Sequence, residues 1–164
     1  MATADKIIDN RVGLVAGMLV NNETGVRHPV EELAAAAHTA GALFFCDATQ
    51  AVGREAIDVE TLGCDLLALS GHKFGGPPGT GALYIRRGLA LTPLASGGGQ
   101  EQERRAGTEN IPGIAGLGLA CANATAGITQ TRTHLQQLTS RLEDGLRQAI
   151  PELVVYGAGT ERAP

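Results

Sequence analysis

The sequence predicts an α/β fold, with a mostly parallel sheet and helices on both faces. Short apolar runs alternate with segments that carry helix signals, in the order strand, helix, strand, helix, strand. Each of the three runs is followed at once by a polar cluster: Asn21 and Asn22, then Asp47 to Gln50, then Ser70 to Lys73. Right-handed crossovers set such strands side by side and parallel, and open sheets of this kind hold their ligands at the C-terminal strand ends.

Each element has its own local reason. Val12 to Val20 (VGLVAGMLV) is apolar throughout, as expected of a strand covered on both faces, and stops at the turn-forming Asn21 to Gly25. Pro29 opens a helix with Glu31 and Glu32 in its first turn and Gly41 just past its end. Ala42 to Cys46 (ALFFC) reads as the second strand, Asp58 caps a short helical turn through Leu62, and Asp65 to Leu69 (DLLAL) reads as the third strand. Leu83 to Ile85 suits a short strand, ended by Arg86 and Arg87. A loop rich in glycine and charge spans Leu91 to Thr108, and a Gly/Ala-rich helix runs from Pro112 to Ala126. Leu135, Leu138, Leu142, Leu146, Ala149 and Ile150 fall at helical spacing and predict a long amphipathic helix that covers a core. Leu153 to Tyr156 (LVVY) reads as one more strand, and neither a repeat nor an interdomain linker interrupts the order.

Composition narrows the function. With 164 residues the chain holds one domain or part of one. Thirteen Lys plus Arg against 17 Asp plus Glu leave a net charge of -4, which gives no electrostatic reason to expect nucleic acid or an anionic membrane. Apolar runs are too short to span a bilayer, and Met1 to Asn10 carries acids rather than an apolar signal core, so a soluble cytoplasmic protein is expected. Cys46, Cys64 and Cys121 are odd in number and lack CxxC spacing, which argues against a disulfide framework and against a zinc site. All three read as inert, buried thiols. With 23 glycines and no tryptophan, the core must be built from Leu, Val, Ile and Ala packed closely on backbone.

The stretch GHKFGGPPGTGALY, Gly71 to Tyr84, superficially resembles a phosphate-binding loop. Such a loop needs lysine and then Ser or Thr after its last glycine, opening a helix; here Ala82 and Leu83 stand in those places and open a strand. The residue of interest is therefore Lys73, which lies between an apolar strand and a Gly/Pro-rich loop. A lysine amine in that setting is a nucleophile suited to an aldehyde, and pyridoxal phosphate presents one. That cofactor needs a carboxylate against its pyridine nitrogen, and Asp47, at the end of an apolar strand, is the best candidate. Taken singly, Asp47 also reads as a turn-former, Gln50 as a surface residue and His72 as a structural hydrogen-bonder, while Ser70 and Thr108 carry no signal.

Four motifs in order, VNNETG (from Val20), DATQAVG (from Asp47), SGHKFGGPPGTGALYIRRG (from Ser70) and GGGQEQERRAGTEN (from Gly97), resemble the cysteine desulfurases. These belong to the class-V aminotransferases, pyridoxal-phosphate enzymes of fold type I. The resemblance implies the central part of their large domain over residues 1–126, and a connecting helix with the start of a small domain over 127–164. It implies that Lys73 carries the cofactor and moves the substrate's α-proton, that Asp47 pairs with the pyridinium and that Gln50 bonds the phenolic oxygen. Ser70 and His72 would bind the phosphate, joined by Thr108 from the neighbouring subunit of a homodimer, and Asn22 would sit against cofactor and substrate. The implied substrate is L-cysteine, converted to L-alanine, with sulfur passed to an acceptor protein such as one serving iron-sulfur cluster assembly. The family's stacking histidine, its substrate-gripping arginine and its cysteine-bearing loop match nothing here, so the 164 residues alone are expected to lack desulfurase activity. Other class-V chemistries, selenocysteine lyase or aminotransferase, and a non-catalytic remnant are the alternatives.

Overall fold

The computed structural model describes residues 8–164, so most of the acid-bearing start expected to lack a signal core lies outside the described residues. Four strands form one sheet in the order β1 (Leu14–Met18), β2 (Leu43–Asp47), β3 (Leu66–Ser70), β4 (Gly81–Ile85). The first three are parallel and β4 returns antiparallel to β3. The mixed α/β architecture is the one expected. Helix α1 (Val30–Thr39) crosses from β1 to β2, α2 (Gln100–Glu103) is a single turn, and α3 (Ile111–Ala126) and α4 (Ile128–Ala149) follow, bent by 72° at Gly127.

Alternation along the strands assigns one face to Phe44, Cys46 and Leu67, which with Val30, Ala34 and Ala37 of α1 form the core. Gly17 lies against α1: a Cβ there would meet Leu33 Cδ1 at 3.4 Å and Phe44 Cζ at 3.6 Å. The opposite face carries Leu14, Phe45, Asp47 and Leu83, and Leu14 is 53% and Leu83 48% exposed. The expectation of a first strand covered on both faces is thus corrected. β1 is shorter than Val12 to Val20 and lies at the sheet edge, with α1 on one side and no described element on the other.

Two further expectations change. Helix α4 begins at Ile128, seven residues before the first leucine of its stripe, and none of its residues is buried; Leu138 and Leu142 are 49% and 62% exposed. Its stripe is amphipathic as predicted, but nothing among the described residues covers it as a core helix would be covered. Leu153 to Tyr156 is no strand: the segment turns without a β partner, and the chain near its end touches the rest through the isolated bridge between Val26 and Arg162. A β-prone composition makes a strand only where the segment reaches a partner, and this one pairs with neither open edge of the sheet.

One polar cluster is built into the core. Asp65, fully buried ahead of β3, accepts the Phe44 N–H at 2.7 Å, pairs with His38 Nε2 at 2.9 Å and stands 2.9 Å from Arg86 Nε. It joins α1, β2, β3 and the end of β4 at the N-terminal end of the parallel strands. Cys46 and Cys64 are buried as expected, and the Cys64 thiol together with burial pushes the Cys46 thiol up, away from reactivity. Cys121 departs from the expectation, being half-buried on α3.

Candidate functional site

The register places Met18 beside Asp47 and Asp47 beside Ala68, so the C-terminal ends of the three parallel strands converge. Backbone bonds continue across them, from Leu19 N–H to Asp47 O and from Ala48 N–H to Ala68 O, each at 2.9 Å. The three polar clusters read from the sequence therefore meet at one edge, where an open parallel sheet holds its ligands.

Lys73 sits in a 3-10 turn, Gly71–Phe74, that begins directly at the end of β3. The turn stops at Gly75, whose φ of 88° is the left-handed conformation that glycine adopts without strain. The segment then closes into a ring: Gly71 N–H donates to Thr80 O at 2.9 Å, Gly76 N–H to Gly71 O at 2.8 Å, and Thr80 Oγ1 to Pro77 O at 2.6 Å. Helix α3 supports the ring from outside. A Cβ on Gly116 would lie 2.6 Å from Pro77 Cγ, and one on Gly71 would lie 2.8 Å from Thr80 Oγ1 and 3.0 Å from Leu117 Cδ1. Gly71→Ala therefore overpacks the ring: a loss of about 1–3 kcal/mol is expected in urea denaturation, and unchanged stability would show that the ring yields freely.

The other predicted residues take up distinct positions. Asp47 ends β2; its Oδ1 accepts the Thr49 N–H at 2.9 Å, and its Oδ2 takes no hydrogen bond among the described residues. Ser70 Oγ and His72 Nδ1 lie 2.9 Å apart, so a hydroxyl and an imidazole face outward together beside Lys73. Lys73 is exposed and forms no ion pair among the described residues. Asn22 and Gln50 line one cleft, formed where the turn after β1 meets the turn after β2. Thr108 is not brought to this group: it is exposed in the loop ahead of α3 and forms no hydrogen bond among the described residues.

Arg54 also borders the site, lining the Asn22–Gln50 cleft and a second cleft that contains Lys73. The sequence did not single it out, because an arginine just past a turn glycine carries no local signal that separates it from a solvated surface residue. β4 also settles the nucleotide reading: the segment that would open a phosphate-binding helix is extended and paired to β3.

The family of class-V aminotransferases matches the chain over residues 1–164. A cysteine desulfurase of Klebsiella pneumoniae is 49% identical over 164 residues, 100% of this chain and 41% of that protein. "Cysteine desulfurase IscS" of Methanosarcina thermophila is 48% identical over 149 residues, 91% of this chain and 37% of that protein. Among solved structures, the NifS-like protein of Rickettsia africae superposes with a TM-score of 0.88 at 36% identity, covering 93% of this chain and 42% of that one. The chain thus spans about 41% of the length of such curated relatives.

Proposed function

Because the chain belongs to the class-V aminotransferase family, we propose that it is the lysine-bearing part of a pyridoxal-phosphate-dependent cysteine desulfurase. The observation that carries this reading is the meeting of Asp47, the Ser70–His72 pair and Lys73 at adjacent strand ends. The donor set fits the cofactor. Asp47 keeps one carboxylate oxygen unbonded, the hydroxyl–imidazole pair suits a phosphate, and no described acid holds the Lys73 amine.

When bound, pyridoxal phosphate supplies an electron sink for the α-carbon of an amino acid. Asp47 would hold a proton at the ring nitrogen through its unbonded oxygen, and Gln50 would bond the phenolic oxygen. Ser70 and His72 would hold the phosphate, with Thr108 contributed by a second copy in a homodimer. That assignment accommodates its exposure here. Lys73 would be the attachment point and the base that moves the α-proton of L-cysteine, and Asn22 would line the substrate side. The cysteine C–S bond would break as a thiol supplied from outside these residues takes the sulfur as a persulfide, for passage to an acceptor protein of the kind that serves iron-sulfur cluster assembly, and L-alanine would remain. Cys46 and Cys64, closed in the core, cannot be the receiving thiols. In this reading residues 1–126 belong to the cofactor-binding domain and 127–164 to the connection towards a small domain, in a cytoplasmic enzyme.

The test is absorbance titration of the purified chain with pyridoxal phosphate. Binding is expected to give a new visible absorbance that the Lys73→Ala variant lacks. Asp47→Asn should weaken cofactor retention by about tenfold or more, the scale of a hydrogen bond to a charged group. A chain that binds no cofactor, or an Asp47→Asn variant that holds it as tightly, sinks the reading.

A further inference from the structure

We propose that Arg54 is an oxyanion-binding residue, placed to hold a carboxylate or phosphate between Lys73 and the Asn22–Gln50 corner. The turns after β2 put it there: Arg54 N–H and Glu55 N–H both donate to Ala51 O, at 2.9 and 2.8 Å. Gly53, at φ 81°, lies against the lysine turn and α3. A Cβ there would meet Phe74 Cβ at 3.1 Å and Ala124 Cβ at 3.7 Å, so Arg54 is held beside the lysine turn by backbone packing. Its guanidinium Nη1 donates to Gln50 O at 3.3 Å, and the side chain borders both clefts.

The charge around it is unbalanced. The partly buried arginines elsewhere each have a carboxylate: Arg27 with Glu31, Arg132 with Glu55, Arg162 with Glu143. Arg54 forms no ion pair among the described residues, and its neighbour Glu55 is engaged by Arg132. Neither cleft has an Asp or Glu side chain in its lining; Pro164, the last residue, borders the Asn22–Gln50 cleft without an ion pair to Arg54, and Lys73 adds an ammonium to the other. A half-buried guanidinium costs free energy until an opposite charge reaches it, and its planar fork of donors matches the two oxygens of a carboxylate or phosphate. The identity of that anion rests on the pyridoxal reading, as the cofactor's phosphate or the substrate's carboxylate; the binding of an oxyanion does not.

Calorimetric titration of the cofactor-free chain with inorganic phosphate, and separately with L-alanine, tests this in the parent, Arg54→Gln and Arg54→Lys. A loss of about tenfold in affinity is expected for Arg54→Gln, with partial recovery in Arg54→Lys, which keeps the charge without the fork. Loss for phosphate alone assigns the phosphate, and loss for L-alanine alone assigns the carboxylate. Should Arg54→Gln fail to fold, the parent chain answers by itself: mass-mapped phenylglyoxal modification of Arg54 should be slowed by whichever probe binds. No binding of either probe to the parent, equal binding by Arg54→Gln, or unprotected modification overturns the proposal. A phosphate effect at Arg54 in a chain that never takes pyridoxal phosphate would keep the anion site and sink the cofactor reading instead.

Discussion

Borohydride reduction of the chain after incubation with pyridoxal phosphate is expected to fix the cofactor on Lys73, and Lys73→Ala to abolish that adduct. The sequence provides an internal comparison, because Lys6 is its other lysine. Both amines can react with a free aldehyde. Lys73 is set by a hydrogen-bonded ring beside a carboxylate strand end and a hydroxyl–imidazole pair, so noncovalent contacts raise the local concentration of the aldehyde there. Peptide mapping by mass spectrometry reads the outcome. A predominant adduct at Lys73 supports an assembled half-site, whereas equal labelling of both lysines would show that the surrounding groups confer no selectivity.

Asp65→Asn is expected to cost about 1–3 kcal/mol, the range for leaving a buried hydrogen-bonding group unsatisfied, because the charges left behind on His38 and Arg86 are 41% and 54% exposed and can turn to water. Burial pushes the Asp65 carboxyl up, but the Phe44 N–H, His38 and the Arg86 charge together outweigh it and hold the group below its ordinary value. A carboxyl with a depressed pKa in the folded state contributes stability that is complete above its unfolded value, near 4, and lost as pH falls through the lower folded value. Urea denaturation of parent and variant should therefore show a wide gap at neutral pH that narrows on acidification below about pH 4. A gap that stays constant down to the acid limb would mean that the carboxylate's charge is not what holds the cluster.

The sequence was most readable where a single local rule decided the outcome. Pro29, the two glutamates and Gly41 fixed α1 to within a residue or two, and the apolar runs before Asp47 and Ser70 fixed β2 and β3. It was least readable where the outcome depended on a partner. LVVY has a strand's composition and no strand beside it, and α4 starts in the polar segment before Leu135, where helix propensity acts without an apolar stripe to reveal it. The left-handed Glu101, Gln102 and Glu103 could not be anticipated either, since non-glycine residues rarely adopt positive φ. At the site, Lys73 and Asp47 were legible from their places after apolar strands. Arg54 and Asp65 were not, because what matters about them is which charges stand nearby, and residues 38, 65 and 86 share no sequence spacing.

The ring that carries Lys73 also limits how this stretch can change over generations of the gene. Surface loops ordinarily tolerate inserted or deleted residues. Here the Gly71–Thr80 and Gly76–Gly71 bonds count the residues between them, and Ser70 must still pair with Gly81 in the antiparallel register. One codon gained or lost inside it would break a closure or slide β4 by a residue, turning its side chains to the other face of the sheet. Length should therefore be inherited more strictly in this segment than in the glycine-rich loop before α3, and a library of single-codon insertions, scored for soluble protein and cofactor attachment, would read that difference directly.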